Sequence, residues 1–93
     1  MKKINIFLVD DHALFREGLH FLLLKMDFVD QILEAENGLD FLEKIVGVNN
    51  CIVLMDIEMP LMNGIEATRK ALERYPDLKI LALSMYSEES YLS

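Results

Sequence analysis

The residues of this chain with the clearest chemical potential are the acids Asp10, Asp11 and Asp56 and the hydroxyl of Ser84. Each group stands directly after an apolar run: Ile4–Val9 before Asp10-Asp11, Cys51–Met55 before Asp56, and Ile80–Leu83 before Ser84. A short continuous apolar run reads as a strand buried on both faces, the usual state inside a parallel sheet. In open α/β sheets ligands bind beyond the C-terminal strand ends, where these side chains would lie. If the strands are neighbours, several carboxylates share one pocket. At 4 Å and an effective dielectric near 20, each like-charge pair costs about 4 kcal/mol, and such a cluster left alone holds a proton at neutral pH. A hard divalent cation removes that problem. Carboxylates, a carbonyl and waters suit Mg²⁺, often completed by phosphate oxygens, whereas the lack of a Cys/His ligand set argues against zinc. A carboxylate beside Mg²⁺ is also a nucleophile toward phosphorus, with the metal neutralising charge on the incoming phosphoryl group. The Ser84 hydroxyl and the backbone N–H groups after Asp56 and Ser84 can donate to phosphoryl oxygens. One isolated Asp would read as a helix cap or a strand end. Acids at two strand ends, a Ser at a third and a Met-Pro-rich loop between them favour a site. His12, alone of its kind there, reads as a cap or surface residue.

The elements that must position these groups alternate along the chain. After the first strand, the period changes from His12 to about Met26, with Phe15, Leu19, Leu22 and Met26 on the expected inner face and Asp11 as the expected N-cap. Gln31–Ala35, less apolar and flanked by Asp30 and Glu36, reads as an edge strand. Asn37-Gly38 is a turn signal. A short helix follows with Leu39, Leu42, Ile45 and Val46 inward, closed by Gly47 to Asn50. The strand Cys51–Asp56 and its loop lead to a helix over Ile65–Tyr75, with Ile65, Thr68, Leu72 and Tyr75 inward. Glu66/Lys70 and Arg69/Glu73 make i,i+4 pairs, and Pro76-Asp77 ends the helix. Lys79–Leu83 is the fourth strand, and Ser87-Glu88-Glu89 resembles a capped helix start. The order βαβαβαβ with short connections implies a parallel sheet, helices on both faces and right-handed crossovers.

Composition narrows the class. With 93 residues, 53 % of them hydrophobic, the chain suits one small domain with one core. No apolar run approaches the roughly 20 residues of a membrane span, and Asp10-Asp11 interrupts the N-terminal run too early for a secretory signal, so a cytoplasmic protein is expected. The net charge of −7 argues against direct nucleic-acid binding. The lone cysteine, Cys51, has no partner for a disulfide and no metal-ligand spacing, and reads as a buried structural thiol. Met55, Met59, Met62 and Met85 read as gap-filling thioethers near the site.

Leu8-Val9-Asp10-Asp11-His12, the run from Leu54 through Asp56-Ile57-Glu58-Met59-Pro60-Leu61-Met62-Asn63 to Gly64, and Ala82-Leu83-Ser84-Met85 together resemble the receiver domain of bacterial two-component response regulators. The resemblance covers the whole chain, in order and spacing, and is greatest to LuxR-type (NarL-like) transcriptional regulators. It implies a flavodoxin-like, CheY-like doubly wound sheet in which strands one and three are adjacent. It implies that Asp56 accepts a phosphoryl group from a sensor histidine kinase or a small phosphodonor. It implies that Asp11, Asp56 and the Glu58 backbone carbonyl ligate Mg²⁺, and that Asp10 acts largely through water. Ser84 matches the family's phosphoryl-contacting Ser/Thr, and Glu58 and Tyr86 match positions that tune access of hydrolytic water. Such a domain is no enzyme in the ordinary sense, but a phosphoacceptor that assists its own phosphorylation and dephosphorylation.

The chain departs from that pattern after its fourth strand. The family's fifth strand, fifth helix, fifth-strand lysine and switch aromatic are not in it. The expectation is therefore a truncated receiver over residues 1–93, strand order 2-1-3-4, with signal relay impaired. Ile80–Leu83 would be an exposed apolar edge, which recruits another strand, so a homodimer through that edge, segment exchange or aggregation is expected. The LuxR-type DNA-binding domain is also not in the chain, and no DNA binding by it is expected. The main alternative is a non-phosphorylated receiver serving only self-association. A second is a Mg²⁺-dependent phosphohydrolase with an aspartyl nucleophile. Such enzymes usually carry an Asp two residues later, where this chain has Glu58.

Overall fold

The computed structural model describes residues 3–83. Four parallel strands, β1 (Ile4–Val9), β2 (Val29–Ala35), β3 (Cys51–Asp56) and β4 (Lys79–Leu83), lie in the order β2-β1-β3-β4. This is the flavodoxin-like order expected from the sequence. Helices α1 (Ala13–Leu23), α2 (Gly38–Lys44) and α3 (Gly64–Arg74) connect them. Strand β2 is an edge, as its charge suggested, and begins two residues earlier than expected because Val29 is buried opposite Ile4.

Alternation along the strands divides the core into two layers. Phe7, Val9, Val53 and Met55 face α2 and α3, where Phe41, Ile45, Ala67 and Ala71 complete a buried cluster. Ile6 and Leu8 face the other way, with Val29, toward Leu19 and Leu23 of α1. Cys51 lies at the bottom of the first layer, and burial pushes its thiol pKa up to about 11, so it is an inert core thiol. Met55 and Met62 are buried in the same layer with Met59 packed against it, in the gap-filling role expected of them.

The helices meet the sheet along faces that overlap only in part with those their periodicity singled out: Leu19, Leu42, Ile45 and Tyr75 pack inward as expected. In α1 the half-buried positions are Arg16, Leu19, His20 and Leu23, whereas Phe15, Leu22 and the downstream Met26 are exposed. Its N-cap is His12, not Asp11, and the His12 side chain makes no capping bond. In α2 the buried residues are Gly38, Phe41 and Leu42, while Leu39 is exposed and Val46, past the helix end, is exposed too. Phe41 meets Phe7 edge to face with ring centroids 5.1 Å apart, an arrangement favoured by the ring quadrupoles. In α3 the buried stripe is Gly64, Ala67 and Ala71, and Ile65 is turned outward. Small residues let this helix approach β3 closely, which a stripe of larger side chains would prevent. Glu66 and Lys70 lie 3.8 Å apart as expected, but Arg69 is 4.0 Å from Glu66 rather than paired with Glu73. Gly47 takes the left-handed conformation (φ 81°) after α2, as a helix exit commonly requires. Among the described residues, no helix is long and apolar enough to cross a membrane. The helix start expected at Ser87-Glu88-Glu89 lies outside the described residues.

Candidate functional site

Strands β1 and β3 run side by side with Val9 opposite Met55, so Asp10 and Asp56 emerge together at one rim of the sheet. Ligand atoms of Asp10, Asp11, His12 and Asp56 all lie within 4.8 Å of one another. Asp10 and Asp56 are almost wholly buried, at 2 % and 1 % exposure, while Asp11 and His12 are exposed. A cleft of about 420 Å³ opens over them, lined by Asp11, His12, Asp56, Ile57, Glu58, Met59 and Pro60.

The loop from Ile57 to Asn63 is held against the strand end by two close approaches. The Gly64 N–H donates to the Ile57 carbonyl at 2.8 Å. A Cβ on Gly64 would stand 2.0 Å from the Asp56 carbonyl oxygen, so only glycine fits where α3 starts. Gly38 donates to the Met62 carbonyl at 3.2 Å, and a Cβ there would meet Met62 atoms at 2.8 Å. Asn63 caps α3 by accepting from the Glu66 N–H, as Asn37 caps α2 by accepting from Asp40. Between these anchors Leu61 takes a left-handed φ of 68°, a conformation costly to a branched side chain.

Electrostatics at the rim are unbalanced. Burial, and then the Asp10 carboxylate, push the Asp56 pKa up, partly opposed by a backbone N–H donated from Glu58. Asp10 Oδ1 accepts from the His12 N–H and pairs with His12 Nδ1, both at 2.8 Å, and the same ring nitrogen is 3.2 Å from Asp11. The hydrogen bond to Asp10 and the charge of Asp11 raise the His12 pKa above 6.5. Among the described residues, one oxygen on Asp10 and one on Asp56, both Oδ2, remain buried without a hydrogen-bond partner. Unpaired buried carboxylate oxygens are costly, and a hard cation satisfies both at once. The donor set, three carboxylates beside one imidazole, fits Mg²⁺ by its chemistry.

The structure thus brings Asp10, Asp11 and Asp56 together and sets Glu58 at the same cleft. Ser84 and Tyr86 lie outside the described residues. Two attachments escaped the sequence reading. His12 is exposed and stands at the N-cap of α1, as a cap or surface residue would, but its ring is also drawn onto Asp10 and Asp11. Arg16, not among the residues expected on the inner face of its helix, donates to the Asp10 carbonyl. The close approach at Gly38 was signalled only as turn chemistry, and that at Gly64 only by its place at the end of the loop motif.

Residues 6–93 match the family described as the response regulator receiver domain. The chain is 43 % identical over 91 residues to the transcriptional regulatory protein DegU of Brevibacillus brevis, covering 98 % of this chain and 39 % of that protein. It is 38 % identical to the response regulator GacA of Pseudomonas protegens, covering 95 % of this chain and 41 % of that protein. The chain therefore spans about two fifths of the length of these relatives. Among solved structures, the response regulator TrrA of Thermotoga maritima, in complex with Mg²⁺-BeF, is 36 % identical with a TM-score of 0.81, over 95 % of this chain and 73 % of that one. The response regulator domain of Thermotoga maritima CheB is 30 % identical with a TM-score of 0.82, over 89 % of this chain and 61 % of that one.

Proposed function

The chain belongs to the response regulator receiver domain family, and from that premise we propose that Asp56 is its phosphoacceptor. The observation that carries this reading is the convergence of Asp10, Asp11 and Asp56 within 4.8 Å, with an oxygen on Asp10 and on Asp56 that is buried and unpaired among the described residues. Asp10, Asp11, Asp56 and the Glu58 backbone carbonyl would hold Mg²⁺, which when bound neutralises charge on the phosphoryl oxygens. The similar TrrA structure, a complex with Mg²⁺-BeF, supports that assignment. An Asp56 carboxylate oxygen forms the new O–P bond as the donor's P–N or P–O bond breaks, its electron pair leaving with the donor. The open cleft above Asp56 admits the donor, and the glycine-anchored loop keeps the nucleophile from turning away. Ser84 is assigned to contact the phosphoryl group on the family motif alone.

The donor is read as a sensor histidine kinase, or a small phosphodonor in its place. The chain is read as one receiver unit over residues 1–93, acting as a phosphoacceptor in a cytoplasmic regulator rather than as a turnover enzyme. Incubation with acetyl phosphate and Mg²⁺ adds one phosphoryl group by intact mass, and Asp56→Asn abolishes the addition. Addition that persists in Asp56→Asn, or none in the wild type, overturns the reading.

A second reading, self-association, is favoured by β4, which among the described residues pairs only with β3 and carries an exposed Leu81. Such an edge is a template for another strand. Sedimentation velocity tests it, and a monomer at high concentration removes it.

A further inference from the structure

The peptide of Asp10 is held from all sides but one. Its N–H donates to the Ala35 carbonyl of β2 at 3.1 Å. Its Oδ1 is taken by the backbone and ring of His12. Its backbone carbonyl accepts from the guanidinium of Arg16. Among the described residues, only Oδ2 is left without a partner. The same guanidinium donates through Nε to Glu34 Oε1 of β2 at 3.0 Å, and His20 Nδ1 holds the other Glu34 oxygen at 2.8 Å. Burial pushes the Glu34 pKa up, but the bonds from Arg16 and His20 outweigh it and hold the carboxyl low. It therefore stays charged at neutral pH.

The geometry of the guanidinium matters more than its charge. Its donors form a rigid planar fork, here spanning a carbonyl at the end of β1 and a carboxylate on β2. The Asp10 carbonyl and the Asp11 N–H belong to one rigid peptide plane. Fixing that carbonyl therefore fixes the direction in which the chain delivers Asp11 after Asp10. The Arg16 side chain is only 16 % exposed, too confined to be a solvated surface charge.

We propose that Arg16 is a positioning residue for the acidic site, locking the peptide between Asp10 and Asp11 against Glu34 so that both carboxylates stay turned toward Asp56. The proposal rests on the Mg²⁺-binding phosphoacceptor reading. It makes a prediction opposite in sign to simple electrostatics. Removing a cation from beside an acidic cluster should strengthen Mg²⁺ binding, whereas loss of positioning weakens it. Substituting residues that orient metal ligands typically weakens affinity by about 10- to 100-fold.

The test is a Mg²⁺ titration of the full 93-residue chain, followed by calorimetry and by the amide resonances of Asp10 and Asp11. Arg16→Gln is expected to bind Mg²⁺ about tenfold more weakly, and Arg16→Lys, which keeps the charge without the fork, is expected to be weakened too. Leu23→Ala loosens α1 packing without touching Asp10 and is expected to keep wild-type affinity. In the wild type, the Arg16 Nε–H resonance is expected to shift on Mg²⁺ addition, a measurement that needs no variant to fold. Arg16→Gln binding as tightly as wild type or tighter, equal weakening by Leu23→Ala, or an unmoved Arg16 resonance overturns the proposal. A wild-type chain that binds no Mg²⁺ overturns the phosphoacceptor reading and this proposal with it.

Discussion

Asp56 and His12 titrate in ways that can be measured residue by residue. The Asp56 pKa lies above its ordinary 3.8 because burial and Asp10 disfavour the charge. Between 3.8 and the raised value the native state binds more protons than the unfolded one. Without metal, stability therefore falls as pH rises through that window. Asp56→Asn removes the unpaired buried charge and is expected to raise stability at neutral pH without Mg²⁺ by about 1–3 kcal/mol, the scale of an unsatisfied buried group. Urea denaturation of both proteins across pH checks this; equal stability at neutral pH contradicts it. For His12 the pH dependence has the same sign, although here it is the charged form that the fold favours. Its raised pKa contributes stability that is complete below 6.5 and lost as pH rises through the folded value. An NMR titration should place its midpoint above 6.5, and Asp10→Asn should lower it, because the Asp10 hydrogen bond is the largest cause. The chemical type of every residue in this cluster was legible beforehand. The bond from His12 to Asp10 was not, because sequence adjacency does not say which way a ring turns at a helix start.

At the scale of elements, each strand carries its own signature and each helix depends on its neighbours. Cys51–Asp56 and Lys79–Leu83 are strands over the expected residues, because a β run in a parallel sheet is apolar whatever it packs against. Helix faces are decided by docking. On α1 the apolar residues outnumber what one face can bury, and Leu14, Phe21, Leu22 and Leu24 remain exposed while the polar Arg16 and His20 turn toward Glu34. On α3 the sheet selects alanines because close approach, rather than side-chain size, determines the fit. Two substitutions test these accounts. Gly64→Ala must displace the Asp56 carbonyl, 2.0 Å from the new Cβ, and is expected to cost about 3 kcal/mol or more. Gly38→Ala meets the Met62 side chain as well as its carbonyl and should cost less. Phe41→Ala empties a wholly buried position against Phe7 and is expected to cost about 3–5 kcal/mol. Thermal melts rank the three, and a Gly64→Ala protein as stable as wild type would refute the close-approach account.

For the molecule as a whole, the acidic rim couples ligand to fold. Two buried oxygens without partners penalise the native state when no cation is present, and a cation that binds only the native state stabilises it by mass action. At a hundredfold excess over Kd the gain is about 2.7 kcal/mol. In a domain of this size each kcal/mol moves Tm by about 4–8 °C. Mg²⁺ is therefore expected to raise Tm by about 10 °C or more at saturation, EDTA to reverse the rise, and Asp56→Asn to lose most of it. Differential scanning calorimetry reads all three, and a Tm indifferent to Mg²⁺ in the wild type would contradict the metal assignment.

Sequence alone determined the βαβ alternation with its parallel sheet and the acids at the strand ends, while the strand order was implied by the family resemblance. The first two follow from local facts: a short unbroken apolar run bounded by turn residues reads as a buried strand, and the residue ending it appears where the strand stops. Tertiary structure alone decided the exact helix faces that are buried, that His12 rather than Asp11 stands at the N-cap of α1, and that Arg16 reaches back to the Asp10 carbonyl. Those outcomes depend on how closely each helix can approach the sheet and on which polar partner waits across the gap, and neither is encoded in the spacing of residues along a single segment.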